Sequence, residues 1–149
     1  MAELVALSAD TLDAAYSVHC TCQSFPWSKN TFADGLSAPY FSYVITAGND
    51  VQGYYLCHQV LDEVTLMDVG VVPSARGQGL GKQLLLHVIS ESAKRAASMI
   101  FLEVRASNHT AVSLYQACGF SHIDVRKNYY PTASGREDAC IMRLALTAR

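Results

Sequence analysis

The sequence predicts an α/β fold of the α+β kind, a mixed sheet covered by helices. Three observations carry that expectation. Phe41–Ala47 and Val51–Val60 are strand-like runs on either side of Gly48-Asn49-Asp50, a hairpin-type turn. Leu80, Leu84, Leu85, Val88 and Ile89 form one helical stripe. Met99–Arg105 alternates, placing Ile100, Leu102 and Val104 on one face and Phe101, Glu103 and Arg105 on the other. Such segments interleave in the order βααβββαβαββ, which implies a sheet with helices against it.

Taken in order, Leu4–Leu7 reads as the first strand. Ser8 or Asp10 caps a helix whose positions Leu12, Ala15, Tyr16 and His19 keep helical spacing. Phe25-Pro26-Trp27 breaks it, and Ser28 caps a second short helix through Phe32. After the hairpin, the strand Val64–Val72 is stopped by Pro73. The helix from Leu80 ends near Lys94, and the alternating strand follows. Ser107 or Asn108 caps a helix through Ala117, with Gly119 as its C-terminal stop. Phe120–Arg126 and Ala139–Leu146 are the last strands. The loop expected between them carries Tyr129-Tyr130-Pro131 and Gly135-Arg136-Glu137-Asp138.

Composition sets limits on function. A chain of 149 residues fits one domain, 1–149, with a core of ordinary size. Half the residues are hydrophobic and 16% are charged, which argues against disorder. A net charge of -2 argues against a nucleic-acid binder held mainly by electrostatics. The cysteine count is odd, 5, and most cysteines sit in apolar segments, so a reducing cytoplasm fits better than a disulfide framework. Cys20 and Cys22 have no second Cys/His pair at finger spacing, so no metal site is expected. The first twenty residues hold Asp10 and Asp13 and no basic start, unlike a secretory signal. No apolar run reaches membrane-spanning length.

The motif with the most chemistry is Val71-Val72-Pro73-Ser74-Ala75-Arg76-Gly77-Gln78-Gly79-Leu80-Gly81-Lys82. A strand enters it and an amphipathic helix leaves it. Three alternate glycines between Arg76 and Lys82 suit a loop of free N–H groups at a helix N-terminus, where an anion is favoured. A triphosphate-binding P-loop fails, because Arg76 stands where its first Gly belongs and Gln83 where it needs Ser or Thr. A dinucleotide fingerprint fails as well, because the spacing is G-x-G-x-G and position 82 is Lys.

What remains is Arg76-x-x-Gly79-x-Gly81 between a strand and a helix, and this resembles the acetyl-coenzyme A pyrophosphate motif of the GNAT superfamily of N-acetyltransferases. The element order over nearly the whole chain resembles it too. The resemblance implies a twisted, mostly antiparallel sheet of six to seven strands flanked by four helices. It implies a splay between the strand ending at Val72 and the strand carrying Glu103, where the pantetheine arm lies. It assigns acetyl-CoA, with no metal, to Val69, Gly70, Val71, Arg76, Gly77, Gln78, Gly79, Leu80, Gly81, Lys82 and Asn108. Further segments are Phe25-Pro26-Trp27-Ser28, Leu102-Glu103-Val104-Arg105-Ala106-Ser107-Asn108, Leu114-Tyr115 and Gly119-Phe120. With Asn128-Tyr129-Tyr130-Pro131 and Gly135-Arg136-Glu137-Asp138-Ala139, they are similar to the bacterial branch that acetylates the N-terminal alanine of a small-subunit ribosomal protein. That implies a ribosomal-protein N-terminal peptide as partner, no direct nucleic-acid or membrane contact, a monomer and a cytoplasmic location.

Acetyl transfer to an amine needs a base, an oxyanion donor and an acid for the leaving thiolate. Glu103 is a carboxylate in an apolar strand, and either pairs with Arg105 two residues on or serves as the base. By chemistry alone Tyr115 is a core tyrosine, and the resemblance gives it the general-acid role. Asn108 is a helix cap that in the family also contacts the coenzyme. Backbone N–H groups near Val69–Val71 are the oxyanion candidates, since Pro73 ends the strand beside them. Trp27, Tyr129 and Tyr130 are candidates to line a peptide groove. Arg136, Glu137 and Asp138 are further substrate-binding candidates: Glu137 and Asp138, with Glu103, attract a basic peptide, unless Arg136 pairs with Glu137 or Asp138 locally.

The histidines show no ligand-like spacing, and none receives a role. Two positions depart from the family pattern: His19 stands where Glu is common, and Val72 replaces a frequent acidic residue. Two rivals stay open, a lysine or small-amine acetyltransferase and a non-catalytic CoA-binding module.

Overall fold

The computed structural model describes residues 2–146. The strands are β1 (Ala2–Ala6), β2 (Tyr40–Ala47), β3 (Asp50–Val60), β4 (Glu63–Val71), β5 (Met99–Arg105), β6 (Ser121–Thr132) and β7 (Gly135–Ala145). The helices are α1 (Ala9–Cys22), α2 (Lys29–Ala33), α3 (Leu80–Lys94) and α4 (His109–Ala117), with short 3-10 turns at Asp34–Leu36 and Pro73–Ala75. The expected element order and mixed sheet are borne out. Its seven strands run β1-β2-β3-β4-β5-β7-β6, and β4–β5 is the parallel pair among antiparallel ones.

The sequence logic of the helices holds locally. Ser28 Oγ accepts the Thr31 N–H at the start of α2, and Asn108 Oδ1 accepts the Ala111 N–H at the start of α4. The α3 stripe buries Leu80, Leu84, Leu85 and Val88. They pack with Ile100, Leu102, Val104 and Met142 in the larger core, on one face of the sheet. A smaller core on the other face joins Ala15 and Val18 of α1 and Phe32 of α2 to Val44, Tyr54 and Leu56.

The last hairpin corrects the expected boundaries. β6 and β7 continue through the segment read as a loop, so Tyr129–Thr132 pair with Gly135–Glu137 through Tyr130↔Glu137, Pro131↔Arg136 and Thr132↔Gly135. β6 is the edge strand, which is where a proline is tolerated in a ladder. A bulge between Arg126 and Tyr130 absorbs Asn128, whose φ is 52°. The first strand also lies earlier than Leu4–Leu7, because Ala2 to Ala6 pair with β2.

Two features of β4 position the site. Its pairing with β5 runs only from Glu63↔Met99 to Leu66↔Leu102, so the strands separate beyond Leu66. A bulge between Leu56 and Cys57 pairs sets Leu66 opposite Cys57 but Asp68 opposite Leu56. Met67 is therefore the extra residue. Asp68 thus faces α1 and the smaller core instead of sharing the face of Leu66.

Candidate active site

A cleft of about 1030 Å³ occupies the splay between β4 and β5. Met67–Val71 and Leu102–Arg105 form its two edges, with Arg76, Gly81, Asn108 and Tyr115 on one side and Trp27, Tyr129 and Tyr130 on the other.

The glycine loop is shaped for close approach of a ligand to backbone. Gly77 and Gly79 have φ of 80° and 79°, and a Cβ at either would meet nothing within 4 Å. Gly79 is the N-cap of α3 and no side chain caps that end, so first-turn N–H groups lie free beside it. Gln83 N–H already bonds to Gly79 O. Gln78 and Lys82 are exposed, whereas the Leu80 side chain is buried in the core and brings only its backbone to the loop. Arg76 Nε donates to Val71 O at 3.2 Å, which fixes the guanidinium beside the cleft.

Val72 N–H donates to Gln52 O at 2.8 Å. Alternation along the antiparallel ladder then points the amides of Val69 and Val71 away from β3 and into the splay. These are the free backbone groups expected near Val69–Val71, with Gly70 between them.

Glu103 and Tyr115 reach the splay from opposite faces of the sheet. Glu103 lies on the β5 face opposite buried Leu102 and Val104, and its carboxylate is 3.8 Å from Arg126 Nη2. The alternative pairing with Arg105 is corrected. Arg105 Nη1 donates instead to Glu137 Oε1 at 3.0 Å and to Pro131 O at 2.9 Å, and its guanidinium lies over the Tyr130 ring. Tyr115 is buried within α4 and lines the cleft. Burial pushes its phenol up to about 12, with the Asp68 carboxylate adding to the rise. Burial, then Glu103, pushes Tyr130 up to about 12 as well.

The acidic tail residues have local partners within the hairpin and its neighbours. Ser107 and Arg105 hold the Glu137 carboxyl below its usual range. Asp138 accepts the Asn128 N–H at 3.0 Å and lies 3.5 Å from Lys127 Nζ. Arg136 pairs with neither; it donates to Asn128 O and Tyr129 O. None of Arg136, Glu137 and Asp138 lines the cleft.

Sequence reasoning missed a buried cluster at the splay point. His19 Nδ1 is 2.5 Å from Asp68 Oδ2, Tyr54 O–H donates to the same oxygen, and Gln23 Nε2 donates to Asp68 Oδ1 at 2.9 Å. The available signal was Asp68 itself, an acid inside the apolar run 64–72, since such a group is rarely buried without partners. Among the described residues no group of three metal-ligating side chains is found.

A splayed mixed sheet, an uncapped glycine-rich helix start and an acid/phenol pair across the opening define an acyl-transfer scaffold. Residues 12–120 match the acetyltransferase (GNAT) family, and the chain belongs to that family of N-acetyltransferases. Its sequence is 41% identical over 147 residues, 99% of each chain, to the [ribosomal protein bS18]-alanine N-acetyltransferase of Escherichia coli. The crystal structure of the ribosomal-protein-S18-alanine N-acetyltransferase from E. coli superposes with a TM-score of 0.95 at 40% identity, covering 100% of this chain and 96% of the other. Arabidopsis thaliana NAA60 in complex with acetyl-CoA shares the fold, with a TM-score of 0.89 at 16% identity, covering 98% and 99%.

Proposed function

We propose that this enzyme transfers acetyl from acetyl-CoA to the α-amine of an N-terminal alanine, that of ribosomal protein bS18, in the cytoplasm. The observation that carries this is the 41% identity along 99% of a relative named for that reaction. The residues present fit the donor. The open glycines Gly77 and Gly79, the free first turn of α3 and Arg76 suit its pyrophosphate, and Asn108 and the Val69–Val71 amides suit its arm. Acetyl-CoA supplies a thioester whose acyl carbon is open to a neutral amine.

Glu103 takes the ammonium proton, directly or through water, at the carboxylate facing the opening. The amides of Val69 and Val71 donate to the oxyanion. Tyr115 hands its phenolic proton to the departing thiolate. A phenol near 12 and a thiol near its ordinary value of about 8.5 are poorly matched in water. Tyr115 is buried, however, and burial of the thiol beside it raises that group in the same direction, which narrows the gap. Trp27, Tyr129 and Tyr130 flank the acceptor path.

The pKa of the acceptor supports an α-amine. At pH 7, deprotonation costs roughly 1 kcal/mol for an α-amine and roughly 4 to 5 kcal/mol for lysine. The test is acetyl transfer to a peptide beginning Ala-Arg, beside the same peptide with a blocked N-terminus and an internal lysine. Turnover of the free peptide alone is the expected result. Turnover of the blocked peptide assigns the chain to lysine or small-amine substrates, and binding of acetyl-CoA with transfer to no amine assigns it to a non-catalytic role.

A further inference from the structure

The cluster around His19 joins the two sides of the cleft. Asp68 stands on β4 just past the point where β4 leaves β5. His19 is 1% exposed and caged by the rings of Tyr16, Trp27, Phe32 and Tyr54, with centroids 5.1 to 6.1 Å away. Its two nitrogens have different tasks. Trp27 N–H donates to Nε2 at 2.9 Å, so Nε2 is an acceptor and the ring proton is on Nδ1, donated to Asp68 Oδ2.

Trp27 belongs to the segment Ser24–Trp27, which leaves α1 and lines the cleft across from Tyr129 and Tyr130. That segment has no ladder to hold it. Both backbone groups of Trp27 are satisfied by α1 side chains: its N–H by His19, and its C=O by Tyr16 O–H at 2.8 Å. The chain of contacts Asp68, His19, Trp27 N–H therefore sets where the acceptor wall stands relative to the splayed strand.

We propose that His19 is a positioning residue that ties the Ser24–Trp27 wall to β4 through Asp68, and so sets the affinity for the acceptor and not the chemical step. The proposal rests on the acceptor reading above. Three donors, from His19, Tyr54 and Gln23, already converge on the Asp68 carboxylate and tie it into this cluster.

The two bonds are separable by substitution. In His19→Asn the side-chain amide keeps the donor to Asp68 and loses the acceptor for Trp27 N–H. In His19→Gln the longer side chain keeps the acceptor and loses the donor. His19→Leu refills the cage without either bond, and carries the same expectation as Asn if the Asn variant does not fold. Trp27 is the one tryptophan of the chain, so its fluorescence reports the wall without any turnover.

The expected result for Asn or Leu is an acceptor-peptide KM raised about tenfold, as for the loss of one buried hydrogen bond. Their kcat and acetyl-CoA KM stay within about twofold, and acrylamide quenches Trp27 more readily. Gln cuts the same tie at its Asp68 end and raises the acceptor KM as well, with kcat and the acetyl-CoA KM again within about twofold. A folded Gln variant with the wild-type acceptor KM, a parallel rise in the acetyl-CoA KM, or unchanged quenching in a folded Asn or Leu variant would overturn the proposal. If the wild type acetylates no free N-terminus, the substrate reading fails, while the quenching comparison still decides whether His19 holds the wall.

Discussion

The two sides of the cleft are built by different means. The side proposed for the acetyl donor is backbone: a glycine loop at positive φ, an uncapped helix start and strand amides released by the splay. The side proposed for the acceptor is side chains drawn from distant segments. Arg105 of β5 holds the β6–β7 hairpin through Pro131, Glu137 and Tyr130, while Asp68 of β4 holds α1 and, through His19, the Ser24–Trp27 wall. Backbone cannot be changed without changing the path of the chain, so the donor side resists substitution as a unit. A side-chain network can be retuned one residue at a time, which suits a surface that selects among N-termini on a common scaffold.

The largest effects belong where the two sides meet. Glu103→Gln and Tyr115→Phe are each expected to lower kcat about 100-fold, as for loss of one general acid or base, with both KM values little changed. The pH profile is a second check on Tyr115. Its pKa is raised, so its protonated form persists through neutral pH and is lost only as pH rises through about 12. The kcat of the wild type should therefore show no alkaline limb from this group at the ordinary phenol value of about 10. A limb there that disappears in Tyr115→Phe would mean a solvated phenol, and a role for Tyr115 unlike the one argued from its burial.

A donor-side change comes next. Gly79→Ala places a Cβ at a φ of 79°, which costs an L residue about 1 to 2 kcal/mol. The acetyl-CoA KM is expected to rise about tenfold with the acceptor KM unchanged. Equal rises in the two constants would erase the division between a backbone half and a side-chain half.

That division also explains what could be read from sequence. The glycine loop is local: its residues are consecutive, and their spacing alone separated it from two other phosphate loops. The alternation in 99–105 placed Glu103 on the face opposite the core for the same reason. His19 and Asp68 lie 49 positions apart, and the bulge at Met67 turns Asp68 to the face opposite the one that alternation from Leu66 assigns. The β6–β7 extension was hidden by Asn128, Pro131 and Gly135, which read as loop residues. An edge position accommodates the proline and a bulge accommodates the asparagine. The partners of Arg105 and Arg136 are set by the sheet and not by sequence proximity: Arg105 meets Glu137, 32 positions away, and Arg136 meets the carbonyls of Asn128 and Tyr129.

The smallest effect tests how widely the acceptor side spreads its load. Glu137 accepts from Arg105 and from the Ser107 N–H, and its carboxyl is held below the ordinary value. A lowered folded pKa means the tie is complete above the usual carboxylate range and fails only as pH falls through the folded value. At neutral pH it is fully made. In Glu137→Gln, Arg105 keeps Pro131 O and the Tyr130 ring, so the hairpin stays in place with one partner fewer. The acceptor KM should rise only about two- to threefold, less at high salt, with the acetyl-CoA KM unmoved. A rise as large as that of Gly79→Ala would show that one ion pair governs the hairpin, and the contrast between a distributed acceptor side and a unitary donor side would then rest on His19 alone.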